Sequence, residues 1–284
     1  MSDKMFMTWE AAVSWLMTQP DKQQLVLDCY YDASVHEAAE RYHQSLEWQA
    51  IQKLIPTTPG MALDLGAGRG IASYALAKDG WRVAAVEPDD SNLVGAGAIQ
   101  SLADANQLPI SVSRDFGERI QFESNTFDLV FARQVLHHAN QLDQLCMELF
   151  RVLKPGGTFI AVRDHVISSH ADLPKFYEAH PLHYLYGGEN AYTMEQYLAA
   201  MRQAGFEIKR VMRPFDSVIN YSPYTYETLR QAIKARLSRI PLLGWASAML
   251  NADVVFNALL RLLSWLDKRP GRLCSFVCVK PLKS

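Results

Sequence analysis

The sequence predicts an α/β fold built on a mainly parallel central sheet. After Met61, short apolar segments alternate with longer amphipathic ones, a pattern that indicates strands joined by helical crossovers. A glycine-rich segment, Gly66 to Gly70, follows the first of these strands and opens a helix. With 284 residues, 49% of them hydrophobic and 20% charged, the chain can bury the core of such a domain. This composition excludes disordered, collagen-like and disulfide-scaffold proteins.

The N-terminal region is expected to be helical. Between residues 9 and 55, apolar positions such as Ala38, Tyr42 and Leu46 recur at helical spacing, and glycine is absent. The segment 56–60, with two prolines and a glycine, ends this region. We therefore predict an N-terminal helical lid over residues 1–58 and an α/β domain over residues 59–284.

The α/β domain is expected to contain seven strands and several helices. The helices predicted after the fifth strand cover 193–205, 224–239 and 245–269. Two insertions interrupt the alternation: an aromatic lid at 166–192 and a helical cap at 218–271. The predicted strands cover residues 61–65, 81–87, 110–114, 127–132, 156–163, 206–215 and 272–281.

Charge and cysteine content narrow the class of protein further. The formal net charge is −2, but residues 206–284 hold 13 basic and 5 acidic side chains, so the C-terminal part is basic. Four scattered cysteines without a C-x2-C pair indicate packed thiols rather than a disulfide framework or a zinc site. The first residues contain acidic side chains and no continuous apolar segment, which predicts a cytoplasmic protein without a secretory signal.

The strand–loop–helix segment beginning at Asp64 is the most informative motif. Glycines there permit a tight turn and a close approach of a ligand, and the N–H groups at the helix start favour an anionic group. The G-x-G-x-G spacing differs from the dinucleotide fingerprint G-x-G-x-x-G. Glu87, at the end of the second strand, is placed to accept hydrogen bonds from ribose hydroxyls. Asp115 and Phe116 fit either an adenine contact or a turn carboxylate followed by a core phenylalanine.

Four segments and Asp115 together resemble the class I S-adenosylmethionine-dependent methyltransferases, in particular the methyltransferase type 11 branch. The segments are ALDLGAGRG, VEP, NTFDLVFARQVLHH and FRVLKPGGTFIAV, and the resemblance covers residues 60–165. It implies a Rossmann-like sheet and S-adenosyl-L-methionine as cofactor. It also implies cofactor contacts at Asp64, Gly66, Ala67, Gly68, Glu87, Pro88, Asp115, Phe116, Arg133 and Gln134.

The acceptor side is expected at loops over the carboxyl ends of the strands. His137, His138 and His165, with Asp164, are candidates for a general base, although such histidines can also be structural. Tyr30 and Tyr31 are candidate substrate contacts that close the other side of the cofactor, or they are helix-packing aromatics. His183, Tyr184 and Tyr186 are candidate contacts in an acceptor lid, or they belong to a purely structural loop. No metal site is expected, because methyl transfer from a sulfonium needs none.

The basic segment 224–269 permits two interpretations. Its helices can pack as a cap on the domain, or they can lie on an anionic membrane surface and suit a lipid-linked acceptor. A transmembrane span is not expected, because the polar side chains Asp253, Arg261 and Lys268 interrupt the apolar helix. A nucleic-acid partner is not expected either, since the sequence pI is about 6.4.

The predicted function is methyl transfer from S-adenosylmethionine to a small-molecule, sugar or lipid-linked acceptor. Oxygen is the favoured atom, because the histidines suit deprotonation of a hydroxyl. Two alternatives remain open: a non-catalytic S-adenosylmethionine-binding regulator, and an NAD-dependent oxidoreductase, for which the loop spacing is unfavourable.

Overall fold

The computed structural model describes residues 6–239 and 244–282 and contains one central sheet. The main strand order is β3-β2-β1-β4-β5-β8-β7, and the short strand β6 pairs with the end of β5. The strands are β1 (Met61–Leu65), β2 (Arg82–Val86), β3 (Ile110–Ser113), β4 (Phe127–Arg133), β5 (Leu153–Ile167), β6 (Tyr192–Thr193), β7 (Glu207–Met212) and β8 (Arg272–Val279).

Strands β1 to β6 pair in parallel, whereas β8 runs antiparallel to both β5 and β7. The order reverses between β1 and β4, so the loops after these two strands leave the sheet in opposite directions. Open α/β sheets bind ligands in the crevice at such a reversal, outside the carboxyl ends of the strands. Of the sequence-predicted cofactor residues, Asp64 lies within β1 and Arg133 ends β4, while the others follow strands at this edge.

The sequence-based expectation of an α/β sheet is confirmed, with three differences in detail. Strand β5 begins at Leu153 and runs on to Ile167, so His165 lies within the strand rather than after it. The two-residue strand β6 carries no sequence pattern of its own and forms by pairing with Val166 and Ile167. The single helix predicted over 245–269 is divided, because Ala252 adopts an extended conformation between two helices.

Two layers of helices cover the sheet. On one face, α7 and α10 pack on the core through side chains such as Leu149 and Tyr197. On the other face, α3 to α6 and α11 bury Trp48, Ile99 and Ile219. These helices are α3 (Val35–His43), α4 (Leu46–Gln52), α5 (Ile71–Lys78), α6 (Ala96–Asn106), α7 (Leu142–Val152), α10 (Met194–Gln203) and α11 (Val218–Tyr221).

Three of the N-terminal helices begin at serine or threonine caps. The side chains of Thr8, Ser34 and Ser45 accept hydrogen bonds from backbone N–H groups in the first turns of α1, α3 and α4. Helices α1 (Trp9–Met17) and α2 (Gln23–Asp28) join α9 (His183–Tyr186) in a separate apolar cluster next to the carboxyl edge of the sheet. Helix α8 (Leu173–Ala179) precedes α9 in the same insertion. The predicted helical content of 9–55 is thus confirmed, and residues 1–5 lie outside the described residues.

The C-terminal helices form a small core of their own. They are α12 (Tyr226–Leu237), α13 (Gly244–Met249) and α14 (Asp253–Leu266), and α14 buries Phe256 and Leu260 against Leu229 of α12. Its outer face exposes Val254 and Trp265. Residues 240–243, which belong to the predicted segment 224–269, lie outside the described residues. Among the described helices, none has the length and apolar content needed to cross a membrane.

Candidate active site

A cavity of about 640 Å³ lies at the carboxyl edge of the sheet. The loops after β1 and β2, the segment after β3 and the turns after β4 form its floor. Side chains of the N-terminal helices, including Trp9 and Tyr31, and of the aromatic insertion, including Tyr186, form its opposite wall. The site therefore combines parts of the chain that are far apart in sequence.

The glycine loop requires a left-handed backbone at two positions that face this cavity. Gly66 has φ +57°, and a Cβ atom there would lie 2.7 Å from a methyl carbon of Val135. Gly68 has φ +55°, but a Cβ atom there would meet nothing within 4 Å. Gly66 is thus needed for packing against the turn after β4, whereas Gly68 keeps space open beside the loop.

Asp64 is a buried carboxyl group at the base of the loop. Its Oδ2 accepts a 2.6 Å hydrogen bond from the hydroxyl of Ser73 on α5. Burial raises the pKa of Asp64 to about 7, although the hydrogen bond from Ser73 opposes this change. A cationic group bound nearby would favour the ionised form of this carboxyl.

Glu87 is held at the mouth of the loop by backbone hydrogen bonds. Its Oε2 accepts the N–H of Gly68 at 2.8 Å, and its Oε1 accepts the N–H of Asp89 at 3.0 Å. Burial raises the pKa of the carboxyl group, and the two backbone donors oppose that change. Each oxygen retains a lone pair for one further donor, which is the arrangement that binding of a ribose diol requires.

Asp115 and Phe116 form an acidic and apolar pair beside Glu87. Asp115 is buried, and its Oδ2 accepts hydrogen bonds from the Ser113 hydroxyl and the Gln121 N–H. Phe116 is 68% exposed and lines the cavity, so it is not a core phenylalanine. An exposed ring at this position offers an apolar surface for a planar base.

Arg133 is the last residue of β4, and Gln134 follows it. The Arg133 side chain forms hydrogen bonds with the side chains of Glu47 and Gln134. The guanidinium of Arg133 forms a buried ion pair with Glu47 of α4, with an Nε–Oε1 distance of 2.7 Å. Gln134 has φ +58° and accepts a 3.0 Å hydrogen bond from Arg133. Both residues line the cavity, yet the Arg133 charge is already neutralised by Glu47.

The three candidate histidines lie side by side in the lining of the cavity. The ring centroid of His137 lies 4.1 Å from that of His138 and 4.7 Å from that of His165. Nδ1 of His137 lies 3.0 Å from Oδ1 of Asp164, as expected if Asp164 orients the ring. The group also includes Glu189, whose Oε2 lies 3.6 Å from Nε2 of His137.

The charge states of these rings differ. Burial alone would lower the pKa of His137, but the adjacent carboxylates of Asp164 and Glu189 outweigh burial and raise that pKa to about 9. Burial, together with the charge of His137, lowers the pKa of His138 to about 4 and that of His165 to about 3. Burial raises the pKa of Glu189, but the nearby imidazoles, chiefly that of His137, outweigh burial and lower it overall.

The tentative acceptor residues divide into two groups. Tyr30, Tyr31 and Tyr186 line the cavity, and the Tyr186 ring packs on Trp9 with a centroid distance of 4.6 Å. His183 and Tyr184 are not among the lining residues. His183 stacks on Tyr177 at 4.1 Å, and Tyr184 packs edge-on against Trp15 at 6.2 Å.

Sequence reasoning missed several residues of this cavity. Glu189 follows the Gly187–Gly188 pair in the aromatic insertion, and its acidic character among aromatic neighbours was the available signal. His180 and Trp9 also line the cavity, as does Cys29, which is the exposed member of the four cysteines. The other three thiols are buried, as the sequence predicts.

The cavity fits an S-adenosylmethionine molecule in its residues and in its size. Glu87 has capacity for a ribose, Phe116 offers a surface for a base, and Gly68 leaves the loop open. The volume of about 640 Å³ lies within the range of small-molecule sites. The histidine group lines the same cavity.

Comparison with known proteins agrees with this assignment. A family model described as a methyltransferase domain matches residues 63–161. The chain is 33% identical over 113 residues to the sterol 24-C-methyltransferase ERG6 of Saccharomyces cerevisiae, and this match covers 39% of the chain and 29% of that protein. It is 26% identical over 110 residues to the ubiquinone biosynthesis O-methyltransferase of Rhizobium etli, and this match covers 38% of the chain and 43% of that protein. The matches thus span less than half of each of these two relatives.

A solved structure shares the fold over most of the chain. The geranyl diphosphate C-methyltransferase from Streptomyces coelicolor A3(2), in complex with Mg²⁺, geranyl diphosphate and S-adenosyl-L-homocysteine, has a TM-score of 0.58 and 14% sequence identity. The similarity covers 93% of this chain and 85% of that one. The matched family model shows that residues 63–161 form a methyltransferase domain, for which S-adenosylmethionine is the cofactor, and the solved structure shows that the fold extends over most of the chain.

Proposed function

We propose that this chain transfers the methyl group of S-adenosylmethionine to an oxygen atom of a small-molecule, sugar or lipid-linked acceptor. The supporting observation is that one cavity is lined at one end by the glycine loop and Glu87 and at the other end by the histidine group. The two relatives named above act on carbon and on oxygen, so the family alone does not select the atom. The histidines favour oxygen, because a hydroxyl must lose a proton during methylation.

We propose a role for each residue in the cofactor half of the cavity. Glu87 would bind the ribose hydroxyls, and Asp115 with Phe116 would bind the adenine. Asp64 and the glycine loop would hold the methionine moiety. The cofactor supplies a methyl group bonded to a positively charged sulfur.

The acceptor half would supply an aromatic wall and a base. Nδ1 of His138 lies 3.2 Å from the carbonyl oxygen of Gly188, which can only accept, so Nδ1 carries the hydrogen and Nε2 keeps a lone pair. His138 would take the acceptor's hydroxyl proton as the oxygen–carbon bond forms and the carbon–sulfur bond breaks. The N-terminal helices and the insertion 166–192 would act as a lid that excludes water.

Calorimetric titration of the purified chain tests cofactor binding. We expect S-adenosylmethionine and S-adenosylhomocysteine to bind and NAD not to bind. Glu87→Ala should weaken binding about 10- to 100-fold, because two hydrogen bonds are lost. Asp90→Asn is the matched control, since Asp90 is an exposed acid three residues away. Binding of NAD alone, or of no nucleoside, would refute the assignment.

A turnover assay separates the enzyme from a non-catalytic regulator. Hydroxylated sugars, phenols and polyprenyl compounds would be screened by mass spectrometry for the gain of one methyl group. Once an acceptor is found, alanine would replace His137, His138 and His165 in turn. We expect His138→Ala to lower kcat about 100-fold with cofactor binding retained. Unchanged turnover in all three variants would exclude a histidine base.

A further inference from the structure

We propose that His137, His165 and Glu189 form a binding site for one divalent transition-metal cation. One potential ligand atom from each of the three side chains lies within 4.8 Å of those of the other two. Atoms that bind a common ion at about 2.1 Å lie roughly 3 to 4 Å apart, so shifts of less than about 1 Å would complete the site. Nε2 of His137 and Oε2 of Glu189, 3.6 Å apart, already meet this spacing.

Both imidazole rings are held in the manner of metal-binding histidines. Nδ1 of His165 lies 2.8 Å from the carbonyl oxygen of Gly271, so it carries the hydrogen and Nε2 keeps its lone pair. Nδ1 of His137 lies 3.0 Å from Oδ1 of the buried Asp164. A histidine ligand typically donates its second N–H to a carboxylate or a backbone carbonyl, and this site contains one of each.

Glu189 provides a second, independent observation. The residue is only 7% exposed, and its Oε2 has no hydrogen-bond partner within the described part of the chain. The other oxygen accepts a hydrogen bond from the hydroxyl of Tyr186, which holds the carboxylate in place. A buried carboxylate oxygen without a donor is costly, and a cation beside His137 would satisfy it.

The charges of the site are also consistent with a divalent ion. Asp164 and Glu189 place two carboxylates in a buried group, and Oδ2 of Asp164 likewise has no hydrogen-bond partner among the described residues. A doubly charged cation bound by neutral imidazoles would balance these two negative charges. The competing arrangement is a protonated His137 that bridges Asp164 and Glu189 without a metal.

The donor set selects the class of metal. Two imidazole nitrogens and one carboxylate oxygen suit Zn²⁺, Fe²⁺, Co²⁺ or Mn²⁺, whereas Mg²⁺ and Ca²⁺ prefer oxygen ligands throughout. Three protein ligands leave at least one position open toward the cavity. An acceptor oxygen could occupy that position next to His138; this use of the site depends on the proposed methyl transfer, whereas metal binding does not.

The sequence does not reveal this group, because its members lie on three separate elements. His137 follows β4, His165 lies in β5 and Glu189 belongs to the aromatic insertion. Only the pairing of β4 with β5 and the folding of the insertion over the sheet bring the three side chains together.

Metal titration tests the site without cofactor or acceptor. The untagged chain would be treated with a chelator, dialysed and titrated with Co²⁺, followed by visible absorption, and with Zn²⁺, followed by calorimetry. We expect one ion per chain and a Co²⁺ absorption band. Mg²⁺ should not compete at similar concentrations. Absence of binding by both ions would overturn the proposal and favour the protonated His137 bridge.

Variants connect the binding to these residues. Glu189→Gln and His165→Gln should abolish the Co²⁺ band, whereas His170→Gln, which alters an exposed histidine, should leave it unchanged. Asp164→Asn retains all three ligands and should weaken the affinity about 10- to 100-fold. Thermal melting of each metal-free variant shows whether it is folded. Metal binding that persists unchanged in folded Glu189→Gln and His165→Gln would also overturn the proposal. The same variants are also titrated with S-adenosylmethionine. Loss of metal binding with cofactor binding retained would concern the metal site and not the methyltransferase assignment.

Discussion

The carboxylate of Glu47 on α4 and the guanidinium of Arg133 at the end of β4 form a buried ion pair that attaches the N-terminal helices to the sheet. Nε and Nη2 of Arg133 lie 2.7 and 3.2 Å from the two oxygens of Glu47. The rings of Tyr30 and Tyr42 lie against the same guanidinium, with centroids 5.5 and 5.3 Å from its central carbon. The wall of the cavity formed by these helices is therefore positioned by a charged contact as well as by apolar packing.

We expect Glu47→Gln to lower the free energy of unfolding by about 3 kcal/mol, because Arg133 would remain buried without its anionic partner. Urea denaturation measures this change. The matched control is Glu123→Gln, which alters an exposed glutamate in a loop and should change the free energy by less than about 0.5 kcal/mol. Equal stability of the two variants would contradict the role of the ion pair.

Substitutions in the glycine loop should separate folding from ligand binding. Gly68→Ala is expected to cost about 1 kcal/mol in stability, because of its positive φ, and to weaken S-adenosylmethionine binding at least about 10-fold, because its Cβ atom enters open space beside Glu87. Gly66→Ala should cost about 2 to 4 kcal/mol, since its Cβ atom also collides with Val135. Urea denaturation and calorimetry measure the two effects. An unchanged Kd in Gly68→Ala would show that the ligand lies elsewhere.

The raised pKa of Asp64 predicts a specific dependence of stability on pH. The pKa is about 7 in the folded protein and 3.8 for an unperturbed aspartate, so the folded state binds the proton more tightly. This carboxyl therefore contributes most to stability below about pH 4, and its contribution falls by up to roughly 4 kcal/mol as the pH rises to about 7. In the Asp64→Asn variant, this decrease in stability with rising pH should be absent.

The measurement is urea denaturation of wild type and variant at about pH 5 and about pH 8. The difference between the two proteins should shift in favour of Asp64→Asn at the higher pH. Asp90→Asn, at an exposed acid, serves as control and should follow the wild type at both values. A constant difference between Asp64→Asn and wild type would mean that Asp64 is ionised throughout this range.

The exposed face of α14 leads to a prediction about membranes. Val254, Leu262, Trp265 and Leu266 are exposed by 82, 51, 64 and 52%, while the opposite face packs as a cap on α12. The basic side chains Arg261, Lys268 and Arg269 are exposed on or just after the same helix. We therefore expect the chain to bind vesicles that contain phosphatidylserine, and to bind less in high salt.

Vesicle flotation with the double variant Leu262→Ser and Trp265→Ser tests this contact. The variant should lose most of the bound fraction, because the apolar side chains that would enter the interface are removed. Met147→Ser, which alters a 52% exposed residue on α7, is the matched control. Equal flotation of the wild type and the double variant would contradict the membrane contact, and helices α12 to α14 would then serve only as a cap.

Much of the fold follows from local patterns in the sequence. Mainly apolar segments such as 61–65 and 127–132 form the central parallel strands, because both faces of these strands are largely buried. The glycine loop and Glu87 could be placed from the sequence because each sits next to the end of a strand, and parallel strands bring such ends to one edge.

Contacts between side chains of distant segments could not be predicted from local sequence patterns. Arg133 follows β4 as expected, yet its charge is used by Glu47, 86 positions earlier in the chain. His183 and Tyr184 belong to the aromatic insertion, but the short helix α9 directs them toward Tyr177 and Trp15 rather than into the cavity lining.

The sequence by itself determined the mainly parallel sheet, the glycine loop and the resemblance to methyltransferases, because periodicity and local spacing are properties of neighbouring residues. Only the tertiary structure decided that Glu189 joins His137 and His165. That contact depends on how the insertion after β5 folds back over the sheet, and the energy of this packing comes from apolar partners, such as Trp9 and Tyr186, that are distant in sequence.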